Sequence, residues 1–352
     1  MTTYFPILQS RQAETVALVH ASTVVANRMC PLVTVVSEGA DEGDRDAVRA
    51  DVDQFVQRIA PYRSGVLAVD HGMIEEDVPL TGGTLPVEYT FGLLRAAGVS
   101  ALPVVRPSSD PAVLVRTAAV AVADQRGALI RIDREDASDT SGLARQLTAI
   151  PRVLGLGESD IDVILDFGPV TAQDLPLAVL AARAVLTALP ALGAWRHVAI
   201  ASGAFPDTLD TIRANSAGSF DRSDAALWAA ATTASTSRDL DFGDYAIAHP
   251  SVRFGGWAPA PNLRYTRETD WYVSKGEKGT PRGNYVFHDI CDAFVSAPST
   301  TFVGAAFSWG DGEIARCAEH LNGPGGAKEW RGWATSHHLA TVTHRLATVG
   351  AP

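Results

Sequence analysis

Short apolar runs alternate with segments of helical spacing through the first 250 residues of the chain. The segment 44–59 gives the clearest helix, because its apolar residues recur at i, i+4, i+7, i+8 and i+11 and form one stripe. The apolar runs predict strands at 5–9, 31–37, 66–70, 102–106, 128–133, 162–166, 197–202 and 245–248. Such continuous apolar runs are typical of the buried strands of a parallel sheet.

The number of these strand–helix units indicates a closed barrel. Eight units in about 250 residues is the size expected of a (β/α)8 TIM-like barrel. A doubly wound open sheet is the alternative, but it usually carries a glycine fingerprint after its first strand, and FPILQSRQAE contains no glycine. We expect a helix over 221–235 and then the last strand within LDFGDYAIAHP, where Gly243 allows a close approach and Pro250 ends the pattern.

The pattern changes after Pro250. We expect a hairpin of strands at 263–268 and 271–277, a short strand at 302–307, and helices at 285–295, 311–321 and 335–348. The tryptophans of this tail are Trp257, Trp271, Trp309, Trp330 and Trp333. Such aromatic content predicts an ordered region, so we divide the chain into a barrel over 1–250 and a C-terminal extension over 251–352 packed on it.

Composition places the chain among compact globular proteins. Hydrophobic residues make up 46% of the 352 positions and charged residues 20%, a balance that supplies a core and argues against disorder. The formal charge of −11 argues against broad electrostatic binding of nucleic acid. Three cysteines without C-x-x-C spacing support neither a disulfide framework nor a zinc ribbon, and they indicate a reducing compartment.

The sequence also bears on location. The N-terminal segment has no basic region followed by a long apolar run, so secretion is not expected. The densest apolar run, 112–123, is interrupted by Arg116 and is too short to cross a bilayer. We therefore expect a cytoplasmic protein that does not associate with membranes.

Seven segments occur along the chain in an order that resembles the beta protein family of phages and bacteria. They are FPILQSRQAE, IASGAFPDTL, FDRSDAALW, LDFGDYAIAHP, LRYTRETDWYVSKGE, FSWGDGEI and WRGWATSHHL, and the resemblance covers nearly the whole chain. It implies a single-domain TIM-like barrel with an elaborated C-terminal part, and it implies a fold more than an activity.

The chain departs from the family pattern at two positions. Gln9 stands where a lysine is frequent at the end of the first strand, and Thr34 stands where a glutamate is frequent in the second. If the two family residues form a catalytic pair elsewhere, the resemblance implies that this protein has lost or altered that chemistry.

Polar residues close most of the predicted strands. In a (β/α)8 barrel the carboxyl ends of the strands converge on one mouth, where active sites lie. The candidate residues there are Gln9, Arg11, Asp70, His71, Arg106, Arg131, Asp133, Asp166 and Ser202. One interpretation is a buried ion-pair network of Arg131, Asp133 and Asp166 that holds the barrel together.

The other interpretation of the mouth is a polar ligand pocket. Arg11, Arg106 and Arg131 would receive an anion such as phosphate or carboxylate. Asp70 and Asp166 would serve as general base or as ligands of a divalent metal. Both interpretations remain open from the sequence.

His71 and Ser202 carry separate hypotheses. His71 is a candidate general acid or base, but it directly follows Asp70 in an alternating strand, so a shared role requires the loop to turn there. A solvated loop histidine is the alternative. Ser202 begins a loop of small residues whose backbone N–H groups suit an anion, and no G-x-S-x-G motif marks it as a nucleophile.

The tail supplies further candidates. They are Arg264, Tyr265, Trp271 and Lys275 in the hairpin, and His337 and His338 in the last helix. A basic and aromatic hairpin suits stacking on a base with phosphate contacts, and it equally suits covering one end of the barrel. Adjacent side chains on a helix diverge by about 100°, so the two histidines cannot both face one ligand. A histidine satisfied by neighbouring protein groups is the default interpretation, and a ligand role for one of them is the alternative.

Two hypotheses of function follow from these features. The first is a barrel enzyme, a phosphodiesterase-type hydrolase or a lyase, that acts at the mouth on an anionic, phosphorylated or nucleotide-like substrate. The second is a non-catalytic barrel that engages a protein or nucleic-acid partner in phage–host conflict, such as antiviral defence. The first is favoured because barrel mouths commonly carry chemistry, although a fold alone does not fix function.

Overall fold

The computed structural model of the protein describes residues 2–41, 43–234, 238–255, 259–297 and 301–352. Within these residues the strands are β1 (Tyr4–Gln9), β2 (Leu32–Thr34), β3 (Leu67–Asp70), β4 (Ala101–Val105), β5 (Ala128–Ile132), β6 (Ile161–Pro169), β7 (His197–Gly203), β8 (Ser216–Asp221), β9 (Asp241–Asp244), β10 (Asn262–Thr266) and β11 (Asp270–Lys275). The helices are α1 (Gln12–Val19), α2 (Thr23–Ala26), α3 (Glu38–Asp41), α4 (Arg45–Ile59), α5 (Pro86–Ala96), α6 (Pro111–Asp124), α7 (Thr140–Leu154), α8 (Leu175–Ala188), α9 (Ser223–Ala234), α10 (Val286–Ser296), α11 (Trp309–Ala318) and α12 (Ala327–Thr348).

Eight parallel strands form a closed barrel in the order β1–β2–β3–β4–β5–β6–β7–β9, and β9 pairs with β1 to complete the ring. The predicted (β/α)8 TIM-like fold is therefore confirmed. Side chains alternate between the two faces of each strand, so every second residue points into the barrel. The apolar residues that fill this interior are Phe5, Ile7, Leu32, Ala68, Leu102, Val104, Leu129, Ile164, Ala199 and Ala201. A larger apolar cluster lies between the strands and the surrounding helices.

The eighth barrel strand lies earlier in the chain than predicted. It is β9, whereas the apolar run 245–248 forms a turn after it. A Cβ added at Gly243 would lie 2.8 Å from Ala201 Cβ and 3.0 Å from the carbonyl oxygen of Phe5, so the close backbone approach is as expected. Ala246 takes a left-handed φ of 51°, which interrupts the extended backbone. The strand is therefore set by packing between β1 and β7 rather than by the most apolar residues.

Helix α12 completes the ring of helices around the barrel. It packs against α1 and also contacts β1. Leu339, Val342 and Leu346 on this helix belong to the same apolar cluster as the outer faces of the strands. The helix that covers the junction of the last and first strands therefore comes from the end of the chain. The division of the chain at residue 250 stays a prediction.

A three-stranded antiparallel sheet with the order β10–β11–β8 lies beside the barrel. The predicted hairpin is confirmed as β10 and β11, in which Arg264 pairs with Val273 and Tyr265 with Tyr272. Strand β8 was not predicted, because its residues alternate between half-buried and exposed and Phe220 is its only large apolar side chain. Its place is fixed by pairing with β11, from Asp221 opposite Asp270 to Ser216 opposite Lys275.

Other features of the tail differ from the prediction. The segment 302–307 contains no strand; Phe302 instead packs against Tyr265 and Phe294 from an irregular segment. The last helix begins at Ala327, eight residues before the predicted start at 335. Ser235, at the end of a predicted helix, and Trp257 lie outside the described residues.

Candidate functional site

Strand alternation determines which polar residues reach the mouth of the barrel. Each inward polar residue follows an interior apolar residue by two positions: Gln9 follows Ile7, Thr34 follows Leu32, Asp70 follows Ala68, Arg106 follows Val104, Arg131 follows Leu129, and Asp166 follows Ile164. Asp133 extends the same alternation from Arg131. The mouth is therefore a polar layer directly above the apolar interior.

Arg131 is the centre of this layer, and all five of its guanidinium N–H groups have acceptors. Nε and Nη2 donate to Asp166 Oδ2 at 3.0 and 2.6 Å, and Nη2 also donates to the Tyr245 hydroxyl at 2.8 Å. Nη1 donates to Asp70 Oδ2 at 2.6 Å and to Thr34 Oγ1 at 3.2 Å. Tyr245 in turn donates to Asp166 Oδ2 at 2.5 Å. Arg131 thus joins β2, β3, β5, β6 and the turn after β9.

Asp70 connects Arg131 to a second arginine. Its Oδ2 also accepts from Arg106 Nη2 at 2.6 Å, and its Oδ1 accepts from the backbone N–H of Gly72 at 3.0 Å. Gly72 leaves room for the guanidinium, because a Cβ there would stand 1.6 Å from Arg106 Nη1. Nε and Nη1 of Arg106 have no acceptor in the described part of the chain. Among the described residues, the Arg106 guanidinium is therefore held at one nitrogen and has no acceptor at the other two.

The charges in the polar layer stabilise one another. Burial opposes ionisation of Asp70, but the Arg106 and Arg131 guanidinium groups outweigh it and hold the pKa of this carboxyl well below its usual value. Burial also raises the pKa of the Tyr245 hydroxyl, and the neighbouring Asp166 carboxylate raises it further. Asp70 is therefore ionised and Tyr245 is neutral at physiological pH.

A cavity of about 310 Å³ opens above Arg106 and Arg131. Its polar lining consists of Gln9, Glu14, Thr34, Arg106, Arg131, Asp133, Tyr245 and Thr335. Its apolar lining comes mainly from Ile7, Leu8, Met73 and residues of the segment 246–252. The volume falls at the small end of the range for ligand pockets, about 300–1,000 Å³. An ion-pair network thus lies beneath an open cavity. The network contains Asp70 in place of the predicted Asp133, whose Oδ1 accepts from the backbone N–H groups of Glu135 and Asp136. Binding of a ligand in the cavity stays a prediction.

Tyr245, Thr335 and Glu14 line the cavity, although the sequence did not single them out. Tyr245 was assigned to a strand interior, and Thr335 lies on α12, where only His337 and His338 were candidates. Glu14 lies in the first turn of α1, just after β1, and is 3% exposed. The first turn of a helix that follows a barrel strand lies at the mouth, and that rule is the signal by which Glu14 could have been found.

His71 and Ser202 lie outside the cavity because alternation turns them outward. His71 Nε2 lies 3.0 Å from Thr90 Oγ1 on α5, and burial lowers the pKa of His71 to about 4. Ser202 follows Ala201 of the barrel interior and is 1% exposed. The expectation that both residues reach the mouth is thereby corrected, and a solvated histidine is excluded as well.

The basic residues of the first loop and the tail contact backbone oxygens. Arg11 donates to the carbonyl of Arg253, and its guanidinium lies over the Phe254 ring. Arg264 Nη1 donates to the Ile247 carbonyl at 2.8 Å and Nε donates to Asn262 Oδ1 at 3.0 Å. Lys275 Nζ donates to the Leu209 carbonyl at 2.9 Å. The lining of the cavity includes none of these three basic side chains.

The aromatic rings of the hairpin are buried. Tyr265 is 0% exposed; its hydroxyl donates to Asp311 Oδ1 at 2.7 Å, and its ring stacks on that of His337 at 3.6 Å. Trp271 is 1% exposed and lies over the buried Arg222. The expectation that these rings stack on a nucleic-acid base is corrected, because neither ring presents a free face.

Both histidines of α12 bind neighbouring protein groups. His337 Nδ1 lies 3.0 Å from Asp311 Oδ2. His338 Nε2 lies 2.8 Å from Asp244 Oδ2. Asp244 is the last residue of β9, and its Oδ2 also accepts from Arg222 Nη2 at 3.3 Å. Neither ring lines the cavity, and both have the structural role that was the default interpretation. They instead hold α12 to the hairpin and to the barrel.

The described acidic side chains do not form a metal site. In the described ranges no group of three or more histidine, cysteine, aspartate or glutamate side chains has the geometry to hold a metal ion. Asp70 and Asp166, the predicted metal ligands, contact arginines instead.

No helix in the described part of the chain is both long and apolar enough to cross a membrane.

The fold and the mouth define a (β/α)8-barrel protein with a polar pocket at the carboxyl ends of its strands. The chain belongs to the Beta protein family, whose model matches residues 4–344. The expected family membership is therefore confirmed. No curated protein sequence matches the chain.

Two enzymes are among the similar solved structures. One is a type I 3-dehydroquinate dehydratase from Clostridium difficile with covalently modified comenic acid, 11% identical, covering 71% of this chain and 87% of that chain with a TM-score of 0.38. The other is the aminoacrylate-bound form of tryptophan synthase from M. tuberculosis, 14% identical, covering 57% and 83% with a TM-score of 0.28. At these values neither likeness bears on activity.

Proposed function

We propose that the protein binds a small anionic molecule in the mouth cavity and acts on it as a hydrolase or a lyase. The observation that carries the proposal is the state of Arg106. One of its nitrogens is fixed by Asp70 at 2.6 Å, while Nε and Nη1 have no acceptor among the described residues and the side chain lines the cavity. A guanidinium with two free donor nitrogens is suited to bidentate contact with a phosphate or carboxylate.

The rest of the polar layer supports this role by keeping Arg106 in place. Arg131 has no free N–H, so it holds Asp70 and Asp166 rather than a ligand. The Gln9 side chain has no hydrogen bond to the described residues and lines the cavity, so it supplies an additional donor and acceptor. The anion would thus be received on a fixed surface, which limits the entropy lost on binding.

The catalytic role of Asp70 and Asp166 stays a prediction. Their oxygens already accept from arginines, from Tyr245 and from the backbone N–H groups of Gly72 and Gly168. For Asp70, the two arginines hold the pKa of the carboxyl well below its usual value, which makes it a weak base. The oxygens of Asp166 are occupied by its hydrogen-bond donors. We therefore propose that these two aspartates position Arg106 and Arg131. Binding of a protein or nucleic-acid partner in phage–host conflict also stays a prediction.

Ligand-dependent thermal stability tests the proposal. Inorganic phosphate and nucleotides should raise the melting temperature of the wild type, because a ligand that binds only the folded state stabilises it. Arg106→Ala should abolish the shift, and Arg106→Lys should keep part of it because the charge remains without the planar donor pair. Arg116→Ala is the matched control, since the Arg116 side chain is 58% exposed and does not line the cavity.

The proposal fails if the wild type shows no shift with any of these anions, or if Arg106→Ala responds as the wild type does. Release of inorganic phosphate from phosphate esters measures turnover separately. If an anion binds but no phosphate is released from its esters, the binding site is supported and the hydrolase activity is contradicted.

A further inference from the structure

Glu14 is the one cavity-lining carboxylate with an oxygen that is both buried and unpartnered among the described residues. It is 3% exposed, and its Oε1 lies 3.6 Å from Arg331 Nη1. Its Oε2 has no hydrogen-bond donor in the described part of the chain. A buried carboxylate oxygen without a donor is unfavourable, so the site is completed when a donor enters.

The other carboxylates near the mouth differ in this respect. Both oxygens of Asp70 and of Asp166 accept hydrogen bonds. Asp133 Oδ1 accepts from the backbone N–H groups of Glu135 and Asp136, and its side chain is half-buried rather than buried. Glu14 therefore has a free acceptor in a place where water is largely excluded.

The order of strands places Glu14 across the mouth from Arg106. Glu14 follows β1, whereas Arg106 follows β4, three places away in a ring of eight strands. Strand β1 lies opposite β5, which carries Arg131. Glu14 and Arg106 both line the cavity, so a ligand whose anionic group contacts Arg106 can reach the Glu14 carboxylate with its far end.

The surroundings of Glu14 decide which donor suits it. Arg331 lies at 3.6 Å, and Arg11 and Arg264 are near enough to interact with the Glu14 carboxylate. Glu38 also interacts with Arg11, so three guanidinium groups stand against two carboxylates. This side of the mouth is therefore positive, which disfavours a ligand ammonium group. A neutral hydroxyl can donate to Oε2 without that repulsion.

We propose that the ligand of the mouth cavity is a hydroxylated small anion, of the polyol-phosphate or hydroxy-carboxylate class, whose hydroxyl donates to Glu14 Oε2. This inference rests on the proposed function, because it takes the anionic group to be held by Arg106. Glu14 then distinguishes hydroxylated anions from other anions, while Arg106 binds the anionic group that all of them carry.

Matched ligand pairs test the inference. Glycerol 3-phosphate with propyl phosphate, and ribose 5-phosphate with pentyl phosphate, differ in hydroxyl groups and share a phosphate ester. By titration calorimetry the wild type should bind at least one hydroxylated member about tenfold or more tightly than its partner, the size of effect expected for a hydrogen bond to a charged group. Glu14→Ala should bind both members of that pair equally, with the affinity for the alkyl phosphate unchanged.

Two further variants keep the outcome interpretable. Glu14→Gln retains an acceptor oxygen and the side-chain volume, and should keep a reduced preference even if the alanine variant folds poorly. Glu135→Ala removes an exposed carboxylate near the mouth and should keep the full preference.

Each outcome bears on a different claim. Equal binding of both members of each pair by the wild type, with loss of all binding in Arg106→Ala, overturns the inference and leaves the proposed function intact. A preference that persists in Glu14→Ala also overturns it. If no phosphate ester binds the wild type, the proposed function and the inference fall together.

Discussion

Arg131 shows how a single side chain can organise the mouth of a barrel. It comes from β5, on the far side of the ring from β1, and its donors reach Asp70, Asp166, Thr34 and Tyr245. A buried arginine is stable only when its charge is paired and its N–H groups have acceptors, and both conditions hold here. The two aspartates depend on it in the same way.

Replacing Arg131 should therefore destabilise the protein strongly. Arg131→Met keeps much of the volume but leaves Asp166 without its cation and Asp70 with Arg106 alone. We expect a loss of about 3–5 kcal/mol in the free energy of unfolding, measured by urea denaturation. Arg116→Met is the control, because its exposed pair with Glu88 should contribute less than about 1 kcal/mol. Equal losses in the two variants would contradict a structural role for the network.

At the scale of the element, β9 is defined by close packing. The strand has four residues, and it pairs with both β1 and β7. Gly243 has no side chain to separate it from Phe5 and Ala201, and this absence allows the ring to close. The more apolar residues that follow cover the cavity instead of extending the sheet.

A methyl group at Gly243 should therefore be costly. Gly243→Ala would put a Cβ 2.8 Å from Ala201 Cβ, a contact that requires the strands to shift. We expect a loss of about 1–3 kcal/mol in the free energy of unfolding. Gly92→Ala is the matched control, because Gly92 lies in α5, is exposed, and has nothing within 4 Å of an added Cβ. That change should stabilise the helix by up to about 1 kcal/mol. If both substitutions changed the free energy of unfolding in the same direction, the packing argument would be contradicted.

At the scale of the whole molecule, the tail and the barrel share buried contacts. Helix α12 packs against α1 and β1, and His338 joins Asp244 at 2.8 Å and the Tyr4 hydroxyl at 3.1 Å. Strand β8, which follows β7, pairs with β11 of the hairpin. The tail is therefore joined to the barrel through one polar cluster and one sheet.

A chain that ends at residue 250 should not fold into a stable barrel. It lacks α12 and the hairpin, so the outer apolar faces of β1 and α1 become exposed and Asp244 loses His338. We expect no cooperative thermal transition by circular dichroism. Co-expression of residues 251–352 should restore the transition, since the missing surfaces are then supplied in trans. A cooperative melt of residues 1–250 alone would instead support a separate barrel domain.

The repeat of strands and helices was readable from the sequence, but its last unit was not. The eighth strand was predicted at 245–248 and lies at Asp241–Asp244, because packing at Gly243 outweighs the apolar run that follows. The position of Gln9, Asp70 and Arg131 at the ends of predicted strands was enough to select them for the mouth, and two-residue alternation from Ile7, Ala68 and Leu129 agrees with that selection. Applied to His71 and Ser202, the same alternation would have turned them away from it.

The sequence by itself determined the barrel, its order of strands and most of its polar layer, because apolar periodicity along a strand is a local property that survives into the fold. Only the tertiary structure decided that every N–H of the Arg131 guanidinium has an acceptor and that Arg106 has donors without an acceptor among the described residues. It also decided that Glu14 lines the same cavity as Arg106. Those outcomes depend on which side chains meet across a closed ring, and residues brought together by ring closure are far apart in the chain. The sequence places a residue at the mouth, and the contacts across the mouth determine what that residue can bind.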